Sequence, residues 1–239
     1  NPAVLEFLDT QTVAAAERHR GARVFTSAEL GSEETHAVLL LELDGHPAAL
    51  ADDAAKARQW IARHAEASRE TDDPAEAERL WDIRRTGSQA MYALGNAKLN
   101  EDVVVPFRSY VPLIRYTREL RDRLGLATPT FGHAADGNFH VHIMYDRDDA
   151  EHRRKAETAI HEVMTKVVEL GGAITGEHGI GIAKSPFLRL QHTSAEVGAM
   201  LAVKRALDPN GILAPGQISE PMNVWEHRPV KVTLPWDKH

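Results

Sequence analysis

The chain has 239 residues, of which 43% are hydrophobic and 26% are charged, and this is enough to bury one substantial core as one domain or two closely joined lobes. A formal net charge of -7 without a basic stripe argues against a nucleic-acid partner, because phosphate binding is chiefly electrostatic. The absence of cysteine excludes disulfides and thiol chemistry, and the longest apolar runs, such as Ala37 to Leu41, are too short to span a membrane.

Strands and helices alternate along the chain at coarse resolution. In the first part of the chain, the patterns predict a strand from Val4 to Leu8, a helix from Thr12 to His19, an apolar strand from Ala37 to Leu43 and a long helix from after Gly45-His46-Pro47 to about Ala67. Further along, they predict a strand around Val103 and a helix from Tyr110 to Leu124.

The helix before the Val103 strand carries a candidate anion-binding arginine. Asp73-Pro74 followed by Glu76 predicts its start, with an N-cap, proline at the first helical position and a capping-box carboxylate. Arg84 lies on the same face as the apolar stripe, which comprises Ala77, Leu80, Trp81 and Met91. A partly buried guanidinium there can bind a carboxylate bidentately, and the alternative is an arginine whose stem packs at the edge of the core while its head stays in solvent.

The segment from Phe131 to His142 (FGHAADGNFHVH) predicts a β-hairpin. Asp136-Gly137 is typical of a tight primed turn, in which Gly137 supplies a positive φ. In the following strand, alternation places Asn138, His140 and His142 on one face and the apolar residues on the other. His133 precedes the turn, so the hairpin is expected to return beside it and bring two imidazoles together.

A glycine-rich loop, Gly171 to Gly181 (GGAITGEHGIG), follows a helix predicted from Ala150 to Leu170. Glycines on both sides of Glu177-His178 let the backbone pass close to a ligand while one carboxylate and one imidazole project from it. The glycines run G-x-x-G-x-G, which is the wrong order for a dinucleotide fingerprint, so that interpretation is rejected.

His133, His140 and Glu177 together are the candidate metal ligands. Burying them without a metal would leave several polar groups to satisfy, whereas any one of these histidines alone would more often be an ordinary core or surface residue. Three protein ligands leave positions open for water or substrate, as in a catalytic site. Ligand types alone do not fix the metal, so a hydrolase or a non-haem iron oxygenase stays an alternative.

A last helix is predicted after a capping box formed by Thr193 and Glu196, and it ends at Asp208-Pro209. Hairpin-type turns mixed with long helices favour an α+β fold, with an antiparallel sheet covered by helices, over a doubly wound parallel sheet.

Three strings of residues carry a family resemblance. The strings H-A-A-D-G-N-F-H, G-E-H-G-I-G and L-D-P-N-G-I-L-A-P-G resemble the C-terminal half of the FAD-linked D-2-hydroxy acid dehydrogenases, which include D-lactate dehydrogenases, D-2-hydroxyglutarate dehydrogenases and the glycolate oxidase FAD subunit, within the vanillyl-alcohol oxidase type of flavoprotein. The resemblance runs from Leu80-Trp81 to Gly216 and implies a ferredoxin-like cap domain.

The resemblance implies a role for each candidate. His133, His140 and Glu177 would hold a divalent metal, zinc or manganese, and His178 would be the base. Arg84 would bind the substrate carboxylate, with Lys98, Asn138 and His142 as further substrate-binding candidates. Relatives commonly carry Asn where this chain has His142, so His142 could touch substrate or add a metal ligand.

The resemblance also implies a division of labour between domains. Residues 1–220 are expected to form the cap and residues 221–239 an extended tail. No glycine-rich phosphate-binding segment is seen, and Leu213 to Gln217 (LAPGQ) replaces the L-N-P-x-K of relatives, so FAD is expected to be held mainly by an N-terminal domain that is absent from this chain. That domain, in the parent chain or in a separate subunit, is the expected partner, besides a D-2-hydroxy acid substrate and a second copy in a homodimer.

The implied reaction is oxidation of a D-2-hydroxy acid to the 2-oxo acid. The alternative is a metal-binding and substrate-binding module that is inactive without its flavin domain. The chain starts at Asn1, so a preceding targeting segment would not be visible, and a cytoplasmic location is the expectation.

Overall fold

The computed structural model describes residues 2–26, 29, 37–215 and 217. The chain divides into two compact units, Asn1–Gly179 and Ile180–His239. All the predicted site residues lie in the first unit. The predicted tail, residues 221–239, lies outside the described residues, and the predicted domain boundaries stay predictions.

The first unit is built on a five-stranded sheet in the order β2-β1-β4-β5-β3, in which every neighbouring pair is antiparallel. This confirms the predicted fold class, an α+β fold with an antiparallel sheet. The strands are β1 (Val4–Asp9), β2 (Ala37–Glu42), β3 (Ala97–Val104), β4 (Thr130–His133) and β5 (Asn138–Tyr145).

The helices follow the predicted periodicity closely. Their bounds are α1 (Thr10–Arg20), α2 (Pro47–His64), α3 (Pro74–Ala90), α4 (Tyr110–Leu124), α5 (Ala150–Glu169), α6 (Leu188–Gln191) and α7 (Ser194–Leu207), with short 3-10 turns at Met91–Ala93, Phe107–Ser109 and Ser185–Phe187. None of these helices is long and apolar enough to cross a membrane.

The two faces of the sheet differ in character because successive side chains of a strand point to opposite sides. One face packs on α4 and α5 through apolar residues, and Phe139 there makes edge-to-face contacts with Phe7 and Tyr110. The opposite face packs at one end on α1 and α3 through Leu8, Phe131 and Met144. This second face, termed the site face, also carries the polar residues Glu6, Lys98, Asn100, Asp102, His133, Asn138, His140 and His142.

Asp9 fixes the end of β1 to the start of β4. One carboxylate oxygen caps α1 by accepting the backbone N–H of Thr12, and the other accepts the backbone N–H of Thr130 at 2.9 Å. Burial raises the pKa of Asp9 to about 6, against the opposing effect of these hydrogen bonds. Because the hairpin is tied to β1 in this way, residues of β1 lie beside His133.

The hairpin turn differs from the predicted tight primed turn. His133 pairs with Asn138, so the loop has four residues rather than two. Gly137 does adopt a positive φ of 84°, and its N–H, like that of Asp136, donates to the His133 carbonyl. The positive φ was predicted correctly, but it closes a longer loop whose register was not readable from Asp136-Gly137 alone.

The helix starts are only partly as predicted. Asp73 caps α3 by accepting the N–H of Ala75, but Glu76 makes an ion pair with Arg69 at 3.7 Å instead of completing a capping box. In the second unit, the predicted capping box of Thr193 and Glu196 is present at the start of α7.

Candidate metal and substrate site

The predicted ligands His133, His140 and Glu177 are brought together where the glycine-rich loop passes the hairpin. Each offers one ligand atom, and these three atoms lie within 4.8 Å of one another. The rings of His133 and His140 are 5.9 Å apart, and His140 Nε2 lies 3.6 Å from Glu177 Oε1. The cluster runs from His140, which is buried, to Glu177, whose side chain is 54% exposed, so a bound ion could also reach solvent or substrate.

The surroundings of His140 are compatible with metal binding. Its Nδ1 is buried without a hydrogen-bond partner among the described residues, and Nε2 is farther from Glu177 than a hydrogen bond allows. Desolvation, followed by the charge of Arg84, lowers the pKa of His140 to about 4, which favours the neutral imidazole that metals bind. Nε2 is the ring nitrogen next to Glu177, so its lone pair is available to an ion, whereas Nδ1 is a buried nitrogen without a partner among the described residues.

His133 is oriented by a carboxylate, Glu6, that comes from β1. Glu6 Oε1 lies 2.5 Å from His133 Nδ1, so Nε2 is the ring nitrogen that remains available to bind an ion. Metal-binding histidines commonly have their second nitrogen on a carboxylate in this way. The residues present therefore fit a divalent metal ion.

Arg84 is held at two points and keeps its terminal nitrogens available. Its Nε donates to Glu6 Oε2 at 2.5 Å, and the guanidinium lies 4.7 Å from the centre of the Phe131 ring. In the described part of the chain, its two Nη groups have no hydrogen-bonded protein partner. The side chain is 16% exposed, and an anion could bind the open end of the fork.

Asp102 anchors the loop that carries Glu177 and His178. Its Oδ2 accepts the backbone N–H groups of three successive residues, Gly176, Glu177 and His178, at 2.8 to 3.0 Å, and also the hydroxyl of Thr175. Its Oδ1 accepts the amide of Asn138 at 2.6 Å. Asp102 is fully buried, so these donors compensate for desolvation of the carboxylate. They also fix where the Glu177 and His178 side chains start.

Gly176 has to be glycine because the loop passes so close to the sheet. A Cβ built on Gly176 would lie 1.7 Å from Asn138 Nδ2 and 2.8 Å from Asp102 Oδ1. The glycine-rich loop was predicted to let the backbone pass close to a ligand. At Gly176 the observed close approach is to these two side chains of the sheet, and an approach to a ligand stays a prediction.

A second group, Asp102, His140 and His178, also has ligand atoms within 4.8 Å of one another. Asp102 is the weaker candidate ligand, because Oδ2 already accepts four donors and Oδ1 accepts one. The set with His133, His140 and Glu177 is therefore favoured. His178 stays beside it, with Nε2 3.6 Å from Glu177 Oε1 and its ring stacked on His140 at 5.4 Å.

His142 lies deeper than the cluster. It is fully buried, stacks on Phe131 with ring centres 4.9 Å apart, and is in neither group of close ligand atoms among the described residues. Desolvation, followed by the charge of Lys98, lowers its pKa to about 3. Both ring nitrogens, and the Oδ1 of the cross-strand residue Asn100, lack partners among the described residues.

The structure engages the other two predicted substrate residues in protein contacts. Lys98 donates to both the carbonyl and the hydroxyl of Ser88 and lies over the Tyr92 ring, and desolvation lowers its pKa. The Asn138 amide donates to Asp102, which gives Asn138 a part in positioning the loop. Their roles in substrate binding stay predictions.

Sequence reasoning missed two acidic residues that organise the site, Glu6 and Asp102. Alternation along β1 could have placed Glu6 on a sheet face, but nothing local to it indicates His133, which is 127 residues away. Asp102 stands in a strand of buried residues, and an acidic residue in such a run was the available signal.

Together, fold and site define a class of protein: an antiparallel α+β domain with a histidine and carboxylate cluster beside a partly buried arginine. A family model described as FAD linked oxidases, C-terminal domain, matches residues 1–218. The chain belongs to this family.

Relatives in the family are named as oxidoreductases. The chain is 34% identical to the glycolate oxidase subunit GlcD of Bacillus subtilis, over 91% of this chain and 45% of that protein. It is 32% identical to a D-lactate dehydrogenase of Anaerostipes hadrus, over 91% and 46%. The chain thus spans less than half the length of these relatives.

Solved structures share the fold at low identity. A 4-ethylphenol oxidase from Gulosibacter chungangensis matches with a TM-score of 0.55 and 15% identity, over 90% of this chain and 47% of that chain. A p-cresol methylhydroxylase matches with a TM-score of 0.53 and 13% identity, over 90% and 46%.

Proposed function

We propose that this chain is the metal-binding and substrate-binding domain of an FAD-dependent oxidoreductase that converts a D-2-hydroxy acid, of the lactate, glycolate or 2-hydroxyglutarate type, into the 2-oxo acid. The observation that carries the proposal is the cluster of His133, His140 and Glu177, with Arg84 held nearby by the same carboxylate that orients His133. Family membership and the names of the relatives support the reaction class.

Each residue has a distinct task in this proposal. Arg84 binds the substrate carboxylate through its open Nη groups and orients the substrate. His178 accepts the proton of the 2-hydroxyl group, for which its exposed imidazole next to Glu177 is suitably placed. A zinc or manganese ion on His133, His140 and Glu177 would act as a Lewis acid on the hydroxyl. FAD, held mainly by another domain or subunit, would supply the acceptor for the hydride of Cα.

Metal content is the first test. After extensive dialysis, the wild-type chain is expected to retain about one zinc or manganese ion, and His140→Ala is expected to lose it, because two remaining ligands bind far more weakly than three. The measurement is elemental analysis, with the exposed His64→Ala variant as the matched control. A wild-type chain that binds no metal after resupply, or a His140→Ala variant that binds like wild type, contradicts the proposal.

The substrate class is tested by binding to the metal-loaded chain. Arg84→Gln is expected to weaken the binding of D-lactate, glycolate or D-2-hydroxyglutarate by roughly 10- to 100-fold, since hydrogen bonds to a charged partner contribute about 1.5 to 3 kcal/mol. Isothermal titration calorimetry measures the affinity. Arg85→Gln is the control, because Arg85 pairs with Glu78 on the exposed face of α3. Equal affinity in both variants would remove Arg84 from the proposed site.

A further inference from the structure

Among the described residues, Glu6 is the one side chain that hydrogen-bonds both to a candidate metal ligand, His133, and to Arg84, the candidate anion-binding residue. Its carboxylate is 5% exposed, with Oε1 2.5 Å from His133 Nδ1 and Oε2 2.5 Å from Arg84 Nε. β1 places it directly opposite His133, because the two residues are register partners in the β1 and β4 pair. One oxygen therefore binds the imidazole of His133, and the other binds the guanidinium of Arg84.

The chemistry of these two contacts restricts both partners. A carboxylate only accepts hydrogen bonds, so a carboxylate on Nδ1 requires the proton of a neutral His133 ring to be there and leaves the lone pair on Nε2. The Nε contact with Glu6 and the Phe131 ring restrict the plane of the Arg84 guanidinium. An arginine with all its nitrogens free would sample many orientations, and a histidine without the carboxylate could adopt the other tautomer.

We propose that Glu6 is a positioning residue: one carboxylate oxygen selects the metal-binding tautomer of His133, and the other orients the guanidinium of Arg84. One buried carboxylate thus positions both a metal ligand and the anion-binding arginine. This inference rests on the proposed function, because its effects on metal and substrate binding require that the chain binds them. It goes beyond that function because it assigns to a residue of β1 the positioning of both the metal ligand His133 and the anion-binding Arg84.

Glu6→Gln is a sharp test because the side chain keeps its size. Gln offers one acceptor oxygen and one amide donor group, whereas two donors, His133 Nδ1–H and Arg84 Nε–H, face this side chain. Both contacts can survive only if His133 changes to the Nε2–H tautomer, in which Nδ1 accepts from the Gln amide and Nε2 no longer offers a lone pair to a metal. Zinc affinity of the chain is expected to fall by roughly 10- to 100-fold, the range seen when carboxylates behind metal-bound histidines are replaced.

The matched control is Glu42→Gln. Glu42 lies on the neighbouring strand β2, and its carboxylate accepts a hydrogen bond from Trp81 Nε1 at 3.0 Å; within the described part of the chain it makes no contact with the cluster. Glu42→Gln removes one negative charge from the same sheet, as Glu6→Gln does. Circular dichroism and thermal unfolding show whether each variant is folded at the temperature of the measurements.

Two readouts separate this inference from the proposed function. Competition with a chromophoric chelator gives the zinc affinity of wild type, Glu6→Gln and Glu42→Gln. Nitrogen-15 NMR of the imidazoles in the metal-free chain reports the His133 tautomer, with Nδ1–H expected in wild type and a shift toward Nε2–H in Glu6→Gln. A tautomer shift combined with weaker zinc binding in Glu6→Gln alone supports the inference.

Other outcomes are equally informative. If wild type binds zinc and Glu6→Gln lowers only the unfolding temperature, with unchanged zinc affinity and tautomer, Glu6 is merely structural and the inference is overturned. If wild type binds no zinc, the proposed function fails, and the tautomer measurement still decides whether Glu6 positions His133.

Discussion

Asp102→Asn is expected to lower the free energy of unfolding by about 3 kcal/mol and to abolish tight metal binding, because it disrupts the anchor of the loop that carries Glu177. The fully buried carboxylate accepts at least five hydrogen bonds, three of them from successive backbone N–H groups. Asn would keep one acceptor oxygen, but its amide NH2 group would replace the other oxygen. That NH2 group would then face N–H or O–H groups that need an acceptor. Donors that lose their partners while buried then destabilise the folded state.

The measurement combines urea unfolding with metal titration. Asp146→Asn is the matched control, because Asp146 also accepts one backbone N–H and one Asn amide, from Asp148 and Asn96, but outside the cluster. The control is expected to lose about 1 kcal/mol or less and to bind metal like wild type. If Asp102→Asn keeps wild-type stability and metal affinity, the loop is held by something other than this carboxylate.

Asp102 has separable effects on the stability of the fold and on metal affinity. The stability loss follows from unsatisfied buried donors, whereas the loss of metal affinity follows from displacement of Glu177 and His178 relative to His133 and His140. A variant that is less stable but still binds metal tightly would show that the cluster forms without the Asp102 anchor.

The sequence predicted the parts of the site that local pattern encodes. Alternation along β5 placed His140 and His142 on one face correctly. The glycine pattern predicted a loop whose backbone passes close to a ligand, and the close approach that the structure shows is to the sheet side chains Asn138 and Asp102. Arg84 was predicted on a buried face of its helix, and the structure confirms partial burial. Each of these inferences depends on periodicity over a few residues.

The parts that were missed depend on contacts between distant segments. Glu6 and Asp102 acquire their roles only when β1 pairs with β4 and β3 pairs with β5, and strand pairing is not encoded in either strand alone. The buried residues of α3 show the same limit, since Ile83, Gly87 and Ala90 are buried while Trp81, placed on the predicted stripe, is only partly buried and bonds Glu42. Tertiary packing decides which part of an apolar stripe is covered.

Helix α2 separates helix formation from burial. Its proline start and alanine-rich composition predicted a helix, and the helix is present from Pro47 to His64, yet it contains no buried residue. Local propensity is therefore enough to locate this helix but does not show what its apolar residues, such as Trp60 at 57% exposure, pack against.

Gly176→Ala is expected to destabilise the chain by about 2 kcal/mol, through one identifiable contact. The added Cβ would overlap Asn138 Nδ2, so Asn138 must move and give up its hydrogen bond to the buried Asp102 carboxylate, a bond of the charge-assisted kind that contributes about 1.5 to 3 kcal/mol. Gly176 does not have a positive φ, so the cost is steric rather than conformational.

A double-mutant cycle isolates this contact. In an Asn138→Ala background the worst overlap is gone and only the 2.8 Å approach to Asp102 Oδ1 remains, so Gly176→Ala is expected to cost less by about 1 to 2 kcal/mol. Gly198→Ala is the control, because Gly198 lies in α7 with nothing within 4 Å of a built Cβ, and it should stabilise the helix or leave it unchanged. Equal costs of Gly176→Ala in both backgrounds would mean that Asn138 is not what requires glycine at this position, and the close approach of loop and sheet would need another explanation.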